Sequence, residues 1–207
     1  EFDITEADRS VGLAFLETGK YFISNNPIAG QPGQIARTYY LRESMGYDRW
    51  IPQNLFLTHL MPPDDAQPLD LNFATLILGF NGLWGDLTKF TPEKLAWAAT
   101  YMARYKEVRD DFVRATPVRR GLPGSCPEVY EKIGRNGRGG VVLFACHGTH
   151  RYITQHKVSR RFWATDNATV TFDRAGHAHI DFTVQAQKYG AATVFFGTST
   201  QRPLPVL

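Results

Sequence analysis

The chain has 207 residues, 43% hydrophobic and 21% charged, with 23 Lys and Arg against 20 Asp and Glu and a formal charge of +3. This is an ordinary globular composition, long enough for one large domain or two small ones. A charge this mild argues against nucleic acid as a partner. The pairs Arg119-Arg120 and Arg160-Arg161 and the run Arg135 to Arg138 read as solvated loop charges.

No long apolar span or signal peptide is found, so no membrane is implied. The opening Glu1-Phe2-Asp3-Ile4, without an initiator Met, suggests a processed chain or a fragment. Cys126 and Cys146 make neither a disulfide framework nor a metal site, which leaves a single bridge or two thiols. Asn167-Ala168-Thr169 is a glycosylation sequon of the kind that arises by chance.

Phe2 to Thr5 alternates and predicts the end of a short strand, and residues 6–17 have helical spacing up to Gly19. Tyr21-Phe22-Ile23 predicts a buried strand opening into the loop Ser24-Asn25-Asn26-Pro27. A helix is expected from Ile35 to Gly46 and a strand over Leu55 to Thr58, with His59 at the start of its exit loop. Leu71 to Phe80 is apolar enough for a helix or a core strand, and Leu83-Trp84 predicts a short strand.

Thr91, Pro92 and Glu93 then supply an N-cap, a first-turn proline and an acid at the positive end of the dipole. Leu95, Ala98, Met102, Tyr105, Val108 and Phe112 form an apolar stripe that stops before Pro117. Alternating strand and helix over the first ~115 residues predict a parallel α/β sheet or barrel.

From residue 118 the texture is all-β. Val129 to Ile133, the Asn136-Gly137 turn and Val141 to Ala145 predict a hairpin. Thr169 to Phe172 and His179 to Val184 predict a second, and Ala192 to Phe196 a last strand. An antiparallel β-sandwich over 118–207 is expected.

In a parallel barrel, chemistry sits where strands end. That rule selects Asp3, Glu6, Asp8 and Arg9, then Asn25 and Asn26, then His59, then Trp84 and Asp86. An aromatic face beside Asn, Asp, His and Arg suits a sugar: the ring stacks on Trp while hydroxyls take hydrogen bonds. Each residue also has a plain structural reading, as a helix cap, a turn or a core ring. His177 and His179 alternate on one strand, but no carboxylate or Cys pattern completes a metal site. Neither a metal nor a cofactor is expected.

The stretch Gly82-Leu83-Trp84-Gly85-Asp86-Leu87, the Thr91-Pro92-Glu93-Lys94-Leu95 helix start, Arg104-Tyr105-Lys106-Glu107-Val108-Arg109 and the following β domain resemble the C-terminal half of melibiase-type α-galactosidases. These belong to the family 27 and 36 glycoside hydrolase superfamily. The resemblance implies that residues 1–117 are the C-terminal part of a (β/α)8 barrel, with strands five to eight at Phe2 to Thr5, Lys20 to Asn26, Leu55 to His59 and Leu83 to Leu87.

It also implies that the nucleophilic Asp, on strand four, precedes Glu1, and that Ser24-Asn25-Asn26 stands where the family has a Ser-Asp-Asp-like stretch with the general acid. An amide cannot donate a proton as an acid does, so Asn26 marks the position without its chemistry, and Asp3 or Glu6 is the expected substitute. The implied partner is a carbohydrate, with the missing N-terminal half as a second. The implied function is part of an α-galactoside hydrolase, inactive alone. A non-catalytic carbohydrate-binding or structural module is the alternative, and an accidental likeness to an unrelated α/β enzyme the third reading.

Overall fold

In the computed structural model, which describes residues 2–3, 17, 21–22, 34–60, 69–83 and 87–199, short apolar runs become strands wherever a neighbour completes their hydrogen bonds. The chain divides into two units, Glu1–Thr91 and Pro92–Leu207.

In the first unit, β1 (Phe2–Asp3) and β2 (Tyr21–Phe22) pair in parallel, Asp3 opposite Phe22. Helix α1 (Gln34–Glu43) buries Thr38, Leu41 and Arg42. β3 (Leu57–Leu60), α2 (Leu69–Leu76) and β4 (Phe80–Leu83) form a βαβ crossover whose strands are parallel, Leu57 opposite Phe80 and Leu60 opposite Leu83.

The apolar run from Leu71 is thus helix first and strand second. Leu71 to Leu76 are buried all round α2, and Ile77 to Gly79 turn the chain into β4. A Cβ on Gly79 would lie 2.6 Å from Thr58 Cγ2 and 2.7 Å from the Phe56 carbonyl, so this crossing accepts glycine alone. The expected exit loop at His59 is corrected: β3 runs on to Leu60, which places His59 inside the strand. Among the described residues the parallel strands form two separate pairs, and no closed barrel is among them.

The second unit opens with α3 (Pro92–Arg114), which starts at the expected cap. Its buried face is Tyr101, Tyr105, Val108 and Phe112. The expected stripe was drawn too far toward the N-terminus, since Leu95 is 39% exposed and Ala98 and Met102 are only half-buried. The reason is the partner. Tyr101 packs edge-on against Trp163 and Phe195, and Tyr105 tilts against Phe195, so α3 docks on the antiparallel sheet. The antiparallel strands begin at Val118, α3 belongs to the same unit as their sheet, and the division between the units falls after Thr91.

The sheet runs β5 (Val118–Arg120), β6 (Glu128–Ile133), β7 (Gly139–Ile153), β10 (Ala178–Phe196), β8 (Phe162–Ala164), with β9 (Ala168–Phe172) pairing the first part of β10. Both expected hairpins form. The segments 179–184 and 192–196, however, belong to one 19-residue strand with a register shift between Val184 and Tyr189. Tyr152, Ile180, Phe182 and Val184 share one core with Val129, Val141, Leu143, Val194 and Phe196. A single hydrogen-bonded sheet, bent at that irregularity, therefore folds over itself and builds a sandwich-like core. Its second half is covered by α3 on the other face, which explains why Val141 to Ala145 and Ala191 to Phe196 are buried without alternation.

Candidate functional site

The βαβ unit decides where the sequence-selected groups can meet. Its αβ end is stitched shut. The Thr58 hydroxyl donates to the Leu76 carbonyl, the Gln53 amide donates to the Ile77 carbonyl at 3.1 Å, and the buried Arg42 guanidinium donates to the Thr75 hydroxyl at 3.3 Å. Sequence reading passed over these polar residues. Their one signal was position: Arg42 follows Thr38 and Leu41 on the face of α1 that turns inward.

Of the sequence-selected groups, His59 stands toward the opposite end. His59 is 3% exposed, one residue from the end of β3, and it lies opposite Gly82 in the β3–β4 register. Because the strands are parallel, the chain leaves Leu60 and Leu83 side by side. Trp84 and Asp86 follow Leu83 immediately in sequence and lie outside the described residues. Glu6, Asp8, Arg9, Asn25 and Asn26 lie outside them too. Asp3 is described as the last residue of β1, opposite Phe22. The structure thus brings the strand ends bearing His59 and preceding Trp84 together, and Asp3 to the residue three before Asn25.

Glu128 and Glu131, buried in the second unit, each sit in a hydrogen-bond network. Glu131, fully buried, accepts from the Tyr152 hydroxyl at 2.7 Å, the Gln155 and His156 amides at 2.8 Å each, and His156 Nδ1 at 2.6 Å. Burial, reinforced by that carboxylate, pushes the Tyr152 phenol above its ordinary range. Glu128 accepts from Tyr130 and Tyr189 and from the Gly124 amide, and pins the β5–β6 turn. A disulfide joins Cys126 in that turn to Cys146 on β7, Cα atoms 5.6 Å apart.

Arg138, at the end of the β6–β7 hairpin, donates to Asp111 at 2.9 Å, to the Glu107 carbonyl at 2.7 Å and to the Gly197 carbonyl at 2.6 Å, tying α3 to the sheet. Burial raises the Asp111 carboxyl, but Asn136 and Arg138 outweigh it and hold the group below the ordinary carboxylate range. Networks of this kind do structural work. Among the described residues no three His, Cys, Asp or Glu side chains converge as metal ligands.

The fold so described, a βαβ segment, a long helix and a folded-over antiparallel sheet, is of the type found in GH36 α-galactosidases. Among solved structures the chain resembles the GH36 α-galactosidase AgaA A355E D548N from Geobacillus stearothermophilus in complex with raffinose, at TM-score 0.60 and 14% identity, over 86% of this chain and 26% of that one. It also resembles the α-galactosidase from Lactobacillus brevis, at TM-score 0.59 and 15% identity, over 86% and 26%. The galactosidase domain of the α-galactosidase-sucrose kinase AgaSK follows at 0.59 and 14%, over the same shares. No protein-family model and no curated protein sequence matches the chain. At such identity the likeness is one of fold, and the chain spans about a quarter of the length of these neighbours.

Proposed function

We propose that this chain is the C-terminal part of a retaining glycoside hydrolase of the family 27 and 36 superfamily acting on α-galactoside-type sugars. It supplies the β domain and one wall of the sugar pocket, and does not turn substrate over by itself. The observation that carries this reading is the element order, a parallel βαβ unit, a long helix and an antiparallel sheet, shared with α-galactosidases over 86% of the chain.

In this reading Trp84 stacks on the sugar ring, while Asp86, His59, Arg9 and Asn25 bond its hydroxyls. Asn26 stands at the family's acid position, and Asp3 or Glu6 serves as proton donor. Retaining hydrolysis needs two carboxyl groups flanking one bond, and in this reading residues 1–207 supply the acid side and not the strand-four nucleophile.

Two measurements on residues 1–207 alone test it, galactose titration by calorimetry and aryl α-galactoside hydrolysis, while hydrolysis by the intact polypeptide separates a hydrolase from a non-catalytic binding module. Galactose binding that weakens about tenfold in Trp84→Ala, without turnover, is the expected result. Turnover at a hydrolase's ordinary rate would overturn the claim of inactivity, and absence of galactose binding would overturn the pocket.

A further inference from the structure

Formal charge is divided unevenly along the chain. Residues 1–91 carry 6 Lys and Arg against 11 Asp and Glu, whereas residues 92–207 carry 17 against 9. Much of this excess gathers at one end of the bent sheet. There the β6–β7 hairpin turn, the 154–161 connection and the β9–β10 turn are laced by backbone hydrogen bonds. The Ser159 amide donates to the Gly137 carbonyl at 2.8 Å, and the Val158 amide to the Gly176 carbonyl at 2.9 Å. Gly137 has φ +74, and a Cβ there would lie 3.0 Å from the Ser159 nitrogen, so the lacing itself depends on glycine.

The three loops bring together Arg135, Lys157, Arg160, Arg161 and Arg174, all exposed. None of the five has an ion-pair partner among the described residues. The nearby carboxylates are already engaged. Asp111 is held by Arg138 and Asn136, and Asp173 by the His177 and Gly176 amides and by His179. Like charges gathered on adjoining loops repel unless an anion answers them.

We propose that this loop end of the second unit binds an anionic polysaccharide, one carrying uronate or sulfate groups. The cations lie on three exposed loops, so a single small anion would gain little from any one of them; a chain of anions engages several at once. Arg forks match carboxylate and sulfate oxygens bidentately. Single-stranded nucleic acid would need exposed rings to stack on. The exposed large apolar side chains described in this unit are Leu95, Leu122 and Ile153, none aromatic and none in these loops. The same lack of apolar tips disfavours insertion at a membrane surface. The choice of a glycan over other polyanions rests on the glycoside hydrolase reading above; polyanion binding does not.

Affinity electrophoresis of the full chain through gels containing polygalacturonate or dextran sulfate tests the proposal. Retardation is expected at low salt, fading as ionic strength rises past roughly 0.3 M. The variant R135Q/K157Q/R160Q/R161Q/R174Q should bind about thirtyfold more weakly, from a factor of about two per exposed charge. All five side chains are exposed, so its far-UV circular dichroism and unfolding midpoint should match the parent's.

Passage of the parent through both gels without retardation overturns the proposal, and so does undiminished retention of the variant. Tighter binding to duplex DNA or to phosphatidylserine vesicles at the same salt overturns the glycan assignment. Galactose titration of the same two proteins keeps the readings apart: lost galactose binding counts against the pocket alone, lost polyanion binding against the loops alone.

Discussion

Replacing Tyr101 by Ala tests whether α3 belongs to the antiparallel unit. The Tyr101 side chain is fully buried and packs edge-on against Trp163 and Phe195 at 5.6 and 5.4 Å between ring centroids. Its hydroxyl shares a hydrogen bond of 2.9 Å with the buried Thr193 Oγ1. Large aromatic-to-Ala changes in a core cost about 3–5 kcal/mol. The stranded Thr193 hydroxyl adds about 1 kcal/mol, because the Thr193 strand geometry itself remains.

With a urea dependence of about 1–2 kcal/mol per molar for a unit this size, a loss of about 4 kcal/mol shifts its midpoint by roughly 2–4 M. Leu95→Ala is the matched control, since Leu95 is 39% exposed and its truncation should cost under about 0.5 kcal/mol. Urea unfolding followed by near-ultraviolet circular dichroism, which reports the ordered aromatic side chains, Trp97 and Trp163 among them, reads both variants. Equal costs for the two, or a cost below about 1 kcal/mol for Tyr101→Ala, would refute the docking of α3 on the sheet.

Other consequences can be checked in the same way. Glu131→Gln places an amide donor against Tyr152 and three further donors and should destabilise by about 3–5 kcal/mol, read as a lowered melting temperature. Arg138→Ala should cost about 2 kcal/mol by loosening α3 from the hairpin. Asp111 and Glu107 have carboxyls held below their ordinary range. The stability they contribute is present above the unfolded value near pH 4 and is lost as pH falls through the folded values. A stability–pH profile should therefore decline on the acid side, and less steeply in Arg138→Ala; identical slopes would remove Asp111 from that account. Cys126→Ser, which opens a bridge spanning 20 residues, should lower stability by about 3 kcal/mol under non-reducing conditions, and a reductant should have the same effect on the parent.

The sequence by itself determined the local pieces. Thr91-Pro92-Glu93 set the start of α3 because cap chemistry needs no distant partner, and Asn136-Gly137 set the first hairpin because few residues accept its backbone. The switch to antiparallel strands at Val118 followed from composition alone. Leu71 to Phe80 stayed ambiguous because a segment buried all round has no periodicity to betray its type.

Only the tertiary structure decided which face of α3 is buried. That choice depends on Trp163, Phe195 and Thr193, which lie far along the chain. It also joined residues 178–196 into one bent strand, since strand length is set by what pairs alongside. In the first unit, the parallel pairing of β3 with β4 followed from the alternation of strand and helix, whereas the extension of β3 through His59 to Leu60 did not, because it is set by pairing with Gly82 and Leu83. The basic surface was not legible. Arg135, Arg160 and Arg174 are distant in sequence, and only the backbone bonds at Gly137 and Gly176 make them neighbours.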